Sequence, residues 1–71
     1  MIARRDEVER LRKQYPVGCR IVLDYMDDVQ APPAGTQATC KGVDDAGQIM
    51  CSWDSGGSLS LIPGVDSFHR V

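Results

Sequence analysis

Residues 36–61 read TQATCKGVDDAGQIMCSWDSGGSLSL, and this stretch decides the fold. Three short runs alternate polar and apolar residues. Two turn signals separate them, Val43-Asp44-Asp45-Ala46-Gly47 and Asp54-Ser55-Gly56-Gly57. Ala38 and Cys40 share one phase in the first run, Ile49, Cys51 and Trp53 in the second, Leu59 and Leu61 in the third. A period of two puts each set on one face of a half-buried strand. Glycine supplies the positive φ that tight turns need. The stretch predicts a three-stranded antiparallel meander with one apolar face.

Upstream, residues 19–26 predict a strand whose inward set is Cys19, Ile21 and Leu23, with Val22 on the outer face. Between it and the meander lies DDVQAPPAG, residues 27–35, a loop stiffened by Pro32-Pro33 and ended by Gly35. It is long for a hairpin connection, and binding residues collect on such loops. Residues 4–15 predict a helix with a narrow apolar stripe of Val8, Leu11 and Tyr15. Asp6–Arg10 and Glu9–Lys13 have the i,i+4 spacing of helix ion pairs. Basic residues at its start, ahead of the acidic ones, oppose the macrodipole. Pro16 closes it. Downstream, Ile62-Pro63-Gly64-Val65-Asp66 stops the third strand and predicts one 3₁₀ turn. Residues 68–71 predict a last strand with Phe68 as inward anchor. The expected fold is mainly β, a single domain over 1–71. An N-terminal helix (1–16) precedes a small SH3-like barrel (17–71) of about five antiparallel strands, with a 3₁₀ turn before the last.

Seventy-one residues allow one domain and a small core, since a chain of this size buries only ~60% of its unfolded surface. The expected location is the cytoplasm, because no apolar run reaches a membrane span and Met-Ile-Ala-Arg-Arg does not open a signal peptide. Cys19, Cys40 and Cys51 are odd in number and have no C-x-x-C spacing, so they are expected as reduced core thiols, not metal ligands or disulfide partners. Charge is divided along the chain. Arg4, Arg5, Arg10, Arg12, Lys13 and Arg20 outnumber Asp6, Glu7 and Glu9 in the first twenty residues. Beyond them Lys41 and Arg70 face seven aspartates.

The stretches MDDVQAPPAGT (26–36), GVDDAGQI (42–49) and WDSGGSLSLIPGVDSF (53–68) resemble a small uncharacterised domain family found in Gram-positive bacteria, their phages and conjugative elements. Cys40 and Cys51 stand where valine is expected, Ala38 where glycine is expected, and His69 looks like an addition before the last Arg-Val. More loosely, the Gly-Thr, Asp-Asp-x-Gly and Trp-Asp-x-Gly elements are similar to SH3-like modules that bind peptides or protein partners. The resemblance implies a setting of phages and mobile elements and no particular chemistry.

An enzyme is not expected. There is one histidine, the serines sit in turns or strands without a nucleophile elbow, and nothing apolar surrounds Asp27-Asp28 or Asp44-Asp45 to raise a carboxyl pKa. No cofactor or metal is expected, since the ligand spacing of a calcium loop is absent. A binding module is the default, with the long loop and the turn before the last strand as its surface. Tyr25, Met26, Asp27, Asp28, Pro33, Asp66 and Phe68 are expected there. Trp53 serves either as core or beside Asp54 at a ligand surface. Two ligand classes compete. The first is a small nucleotide-derived signal of host immunity, sequestered in a homo-oligomer with arginines such as Arg10 or Arg12 of a second chain on its phosphates. The second is a protein partner met through the loops or the sheet edge. Nucleic acid ranks third, since an acidic barrel opposes a phosphate backbone.

Overall fold

The computed structural model describes residues 4–71, so the first three residues of the expected 1–16 segment lie outside it. The elements are α1 (Arg5–Gln14), β1 (Arg20–Tyr25), β2 (Gln37–Val43), β3 (Ile49–Trp53) and β4 (Ser67–Arg70). The strands form one antiparallel sheet in the order β3-β2-β1-β4. Two expectations change here. The sheet is unclosed, and it has four strands where about five were expected. The third run of the meander makes a single bridge, in which Ile49 and Leu61 exchange N–H···O bonds of 2.8 Å. Gly56 and Gly57 both take positive φ and turn the chain out of the ladder. The Leu59 carbonyl instead accepts the Trp53 indole N–H at 2.8 Å.

Residues 62–66 form a hydrogen-bonded turn in place of the expected 3₁₀ helix. The Ile62 carbonyl accepts from the N–H groups of Val65 (3.1 Å) and Asp66 (2.9 Å). This turn carries the chain from the β3 side of the sheet to the β4 side. Asp44 builds the β2–β3 turn: its carboxylate accepts the N–H groups of Ala46 (3.1 Å) and Gln48 (2.8 Å). A short polar side chain here mimics a turn of backbone.

The core is Val8, Ile21, Leu23, Ala38, Cys40, Val43, Ile49, Cys51, Trp53 and Leu61, with Leu11, Tyr15, Cys19, Met26, Leu59 and Phe68 packed partly buried around it. Val43, read from the sequence as the start of a turn, is a core residue. A bulge between Cys40 and Gly42 shifts the pairing by one, so both Cys40 and Val43 face inward. Trp53 is 4% exposed and belongs to the core. The cysteines are free and form a row across the sheet. Cys40 N–H bonds the Cys19 carbonyl at 2.8 Å, and Cys40 pairs directly with Cys51. Cys19 is only partly buried, because it precedes β1 at the margin of the core. Burial, with Cys40 and Cys19 beside it, pushes the Cys51 thiol up to about 12. Burial also raises the Cys19 thiol.

The helix docks through Val8, buried at its centre, and through Arg12. The Arg12 guanidinium donates from Nε (3.1 Å) and Nη2 (2.9 Å) to the Val43 carbonyl. Asp6 and Glu7 fall in the first turn and Arg12 and Lys13 in the last, so the charges favour the macrodipole after all, with Arg4 outside as N-cap. The i,i+4 ion pair seen among the described residues is Arg5–Glu9 at 3.7 Å, not the expected Asp6–Arg10 or Glu9–Lys13. No helix among the described residues is long and apolar enough to cross a membrane.

Two stability outcomes follow from this core. Cys51→Ser lowers stability by about 1–3 kcal/mol, as a poorly satisfied buried hydroxyl does. In the native state a thiol reagent modifies Cys19 first and Cys51 only on unfolding; rapid native labelling of Cys51 contradicts this burial. Val8→Ala costs about 1.5–3 kcal/mol, because Val8 is the buried residue through which the helix docks. Denaturant unfolding followed by Trp53 fluorescence measures it, and a change near zero means a frayed helix.

Candidate functional site

Two clefts flank the 62–66 turn and share Val65 and Asp66. The first, about 420 Å³, lies between the start of the long loop and the segment after β3. Met26, Leu59, Ile62 and Val65 supply apolar surface; Asp27, Asp28 and Asp66 supply carboxylates; Gln48, Ser58 and Ser60 complete the lining. Asp28 accepts the Gln30 N–H at 2.8 Å, an Asx turn that fixes the loop entrance. Asp66 accepts the Ile62 N–H at 2.8 Å. Each of these bonds engages one carboxylate oxygen.

The second cleft, about 510 Å³, lies between the end of α1, the turn and β4, with Leu11, Tyr15, Val65 and Phe68 among its lining. Its floor is an aromatic pair: the Tyr15 and Phe68 rings stand 5.6 Å apart at 59°, a tilted arrangement that suits ring quadrupoles. Burial raises the Tyr15 hydroxyl above its ordinary value, so it is a neutral donor here.

Of the residues expected at a ligand surface, the fold brings Met26, Asp27, Asp28 and Asp66 into the acidic cleft, and places Phe68 with Asp66 in its neighbour. Tyr25 is exposed at the end of β1 and lines neither cleft; nor does Pro33, whose carbonyl accepts the Thr36 N–H at 3.1 Å. Trp53 shows only an edge, in a third cleft of about 320 Å³ with Gln30 and Pro32. Arg10 is exposed on α1, while Arg12 is held by Val43 and, at 3.3 Å, by Asp45. Asp54 is held by Arg20, whose two terminal nitrogens reach its two oxygens, one at 2.9 Å. The same guanidinium bonds Thr39 (2.9 Å) and Gln37 (3.2 Å) and so ties β1, β2 and the turn after β3. Leu59, Ile62 and Val65 were not singled out from the sequence for this site: Leu59 was read as an inward strand residue, and the signal of Ile62 and Val65 was their flanking of Pro63-Gly64, where no strand continues. Among the described residues no group of three His, Cys, Asp or Glu is placed to hold a metal ion.

The model of a domain family, Domain of unknown function (DUF4314), matches residues 4–71. The chain belongs to this family. The match spans the helix, the sheet and both clefts. No curated protein and no solved structure matches the chain.

The Arg20–Asp54 pair makes acid stability testable. The Arg20 guanidinium, hydrogen-bonded to it, holds the Asp54 carboxyl below its ordinary value in the folded chain. Protonation therefore favours the unfolded state. The pair's contribution is complete above the ordinary carboxylate range and is lost as pH falls through the depressed value. Asp54→Asn should lose less stability than the unsubstituted chain over that acid window. Parallel pH profiles of melting temperature contradict the pairing.

Proposed function

We propose that this domain is a non-catalytic binding module, and that its acidic cleft takes a cationic, partly apolar segment of a protein partner. One observation carries the reading: three carboxylates from two distant parts of the chain, Asp27 and Asp28 on one side and Asp66 on the other, surround the apolar surface of Met26, Leu59, Ile62 and Val65. Apolar side chains of a partner cover that surface while its lysines or arginines meet the rim, and complementary potential sets register and rate more than raw affinity. The order of helix, strand, long loop, meander, turn and strand supports an SH3-like reading, with the turn and helix covering the gap of an unclosed sheet. The sequence resemblance supports a phage or mobile-element setting, and three free thiols support a reducing compartment.

A nucleotide-derived signal fits this cleft less well. Phosphates would meet the three aspartates, and Arg12 and Arg20 are engaged within the fold. A second chain would have to bring Arg10 or its neighbours to the rim.

A nitrogen-15 NMR titration separates the two ligand classes. A short peptide of alternating lysine and leucine should shift the amides of residues 26–28 and 58–66, less so at higher salt. Asp27→Asn with Asp28→Asn should weaken it roughly three- to tenfold, as the loss of two exposed charges does. No shift with the peptide and a saturable shift with cyclic dinucleotides would reverse the order of the two readings.

A further inference from the structure

β4 is an edge of the sheet, and among the described residues no strand pairs with its outer side. Val71 N–H bonds the Arg20 carbonyl at 3.0 Å, and His69 pairs with Val22. By the antiparallel alternation, His69 and Val71 turn their main-chain groups toward β1, while Phe68 and Arg70 turn theirs outward. Such a row of free N–H and C=O groups is a template for another strand.

The sequence of the edge says which strand fits. Val65-Asp66-Ser67-Phe68-His69-Arg70-Val71 is chemically symmetric about Phe68. One step out, Ser67 and His69 are both polar. Two steps out, Asp66 and Arg70 carry opposite charge. Three steps out stand Val65 and Val71, 73% and 72% exposed. Run antiparallel to itself, this segment meets its own complement from Asp66 to Arg70.

We propose that β4 pairs with β4 of a second copy of this chain, across a two-fold axis at Phe68, so that two unclosed sheets become one. The two Phe68 residues exchange N–H···O bonds. Arg70 N–H reaches the carbonyl of the partner's Asp66, whose own N–H is already given to Ile62 within its chain. The Arg70 guanidinium, which spends one donor on the Gln14 carbonyl at 3.2 Å, has others for the partner's Asp66 carboxylate. That carboxylate keeps an oxygen free beyond its bond to Ile62. Opposite charges on directly opposed positions select this register. A slip of two residues, which keeps the same main-chain groups facing, sets Phe68 against Arg70 and parts Asp66 from Arg70. A two-fold interface of this kind is isologous, so each contact occurs twice. The pairing shares Asp66 with the acidic cleft, so a cationic ligand there competes with the partner's Arg70 for that carboxylate.

Charge reversal tests it. Sedimentation velocity of the unsubstituted chain should show the mass of one chain giving way to that of two as concentration rises. Arg70→Asp alone sets Asp66 against the new aspartate, and Asp66→Arg alone sets arginine against arginine, so each should stay at the mass of one chain. Mixed together, the two variants make both junctions complementary and should return to the mass of two. Hydrogen exchange of the unsubstituted chain gives a readout independent of any variant: the Phe68 and Arg70 amides should slow with rising concentration while the outward amides of other segments do not. A chain that remains monomeric to millimolar concentration overturns the proposal. So does association with protection at other amides, or a mixture of folded variants that stays monomeric.

Discussion

Between Cys40 and Gly42 the β2–β3 ladder slips by one residue, and Lys41 stands without a partner. A regular pleat would send Cys40 and Val43 to opposite faces; the slip sends both into the core. Gly42 takes φ 140° at this point, a backbone conformation that favours glycine, while a Cβ there would lie 3.3 Å from the Met50 methyl carbon, the movable end of a flexible side chain. With Val43 turned inward, its carbonyl is presented to the helix, and Arg12 grips it with two nitrogens. The docking of α1 therefore rests on an irregularity in the central strand. A helix of ten residues is marginal alone in water, so it forms where Val8 and Arg12 have something to hold.

The core that results is small and made with modest side chains. Three of its positions are cysteines in a row across adjacent strands, where a thiol acts as a compact hydrophobe. Trp53 fills the end of β3, and its one polar atom is satisfied by the Leu59 carbonyl. At that end the chain leaves the ladder: Gly56 and Gly57 turn it away, and the Leu59 carbonyl meets the indole N–H. The sheet then ends at β3 on one side and β4 on the other, and residues 62–66 span the gap as a turn. Both larger clefts adjoin this turn. The clefts lie where closure is done by an irregular segment rather than by hydrogen-bonded strands.

Charge follows the same division. Three of the eight basic residues hold the fold: Arg12 on the helix dock, Arg20 across β1, β2 and Asp54, Arg70 on the end of the helix. The aspartates divide into those that build turns, such as Asp44, and those that rim a cleft. The cleft rimmed by Asp27, Asp28 and Asp66 is therefore more acidic than the whole-chain balance suggests, and this is the ground for proposing a cationic ligand.

Much was determined by the sequence alone. Period-two alternation placed Ile21, Leu23, Ala38, Cys40, Ile49, Cys51, Trp53 and Leu61 on one inward face, and these are buried, while Cys19 and Leu59 of the same sets are only partly so. Glycine, proline and aspartate placed the turns, because few other residues tolerate those backbone angles or cap them. The stripe of Val8, Leu11 and Tyr15 placed the helix. Along the long loop and the last turn, the acidic residues Asp27, Asp28 and Asp66 were legible as candidates, though not the apolar floor between them. Tertiary structure alone decided the phase shift at Lys41, the loss of the fifth strand where Leu59 meets the Trp53 indole, the capture of Asp54 by Arg20, and the open edge at β4. Local patterns report what each segment prefers by itself. These four features depend on which groups from distant segments meet, and such a meeting is fixed only when the core closes and every buried donor and acceptor must find a partner.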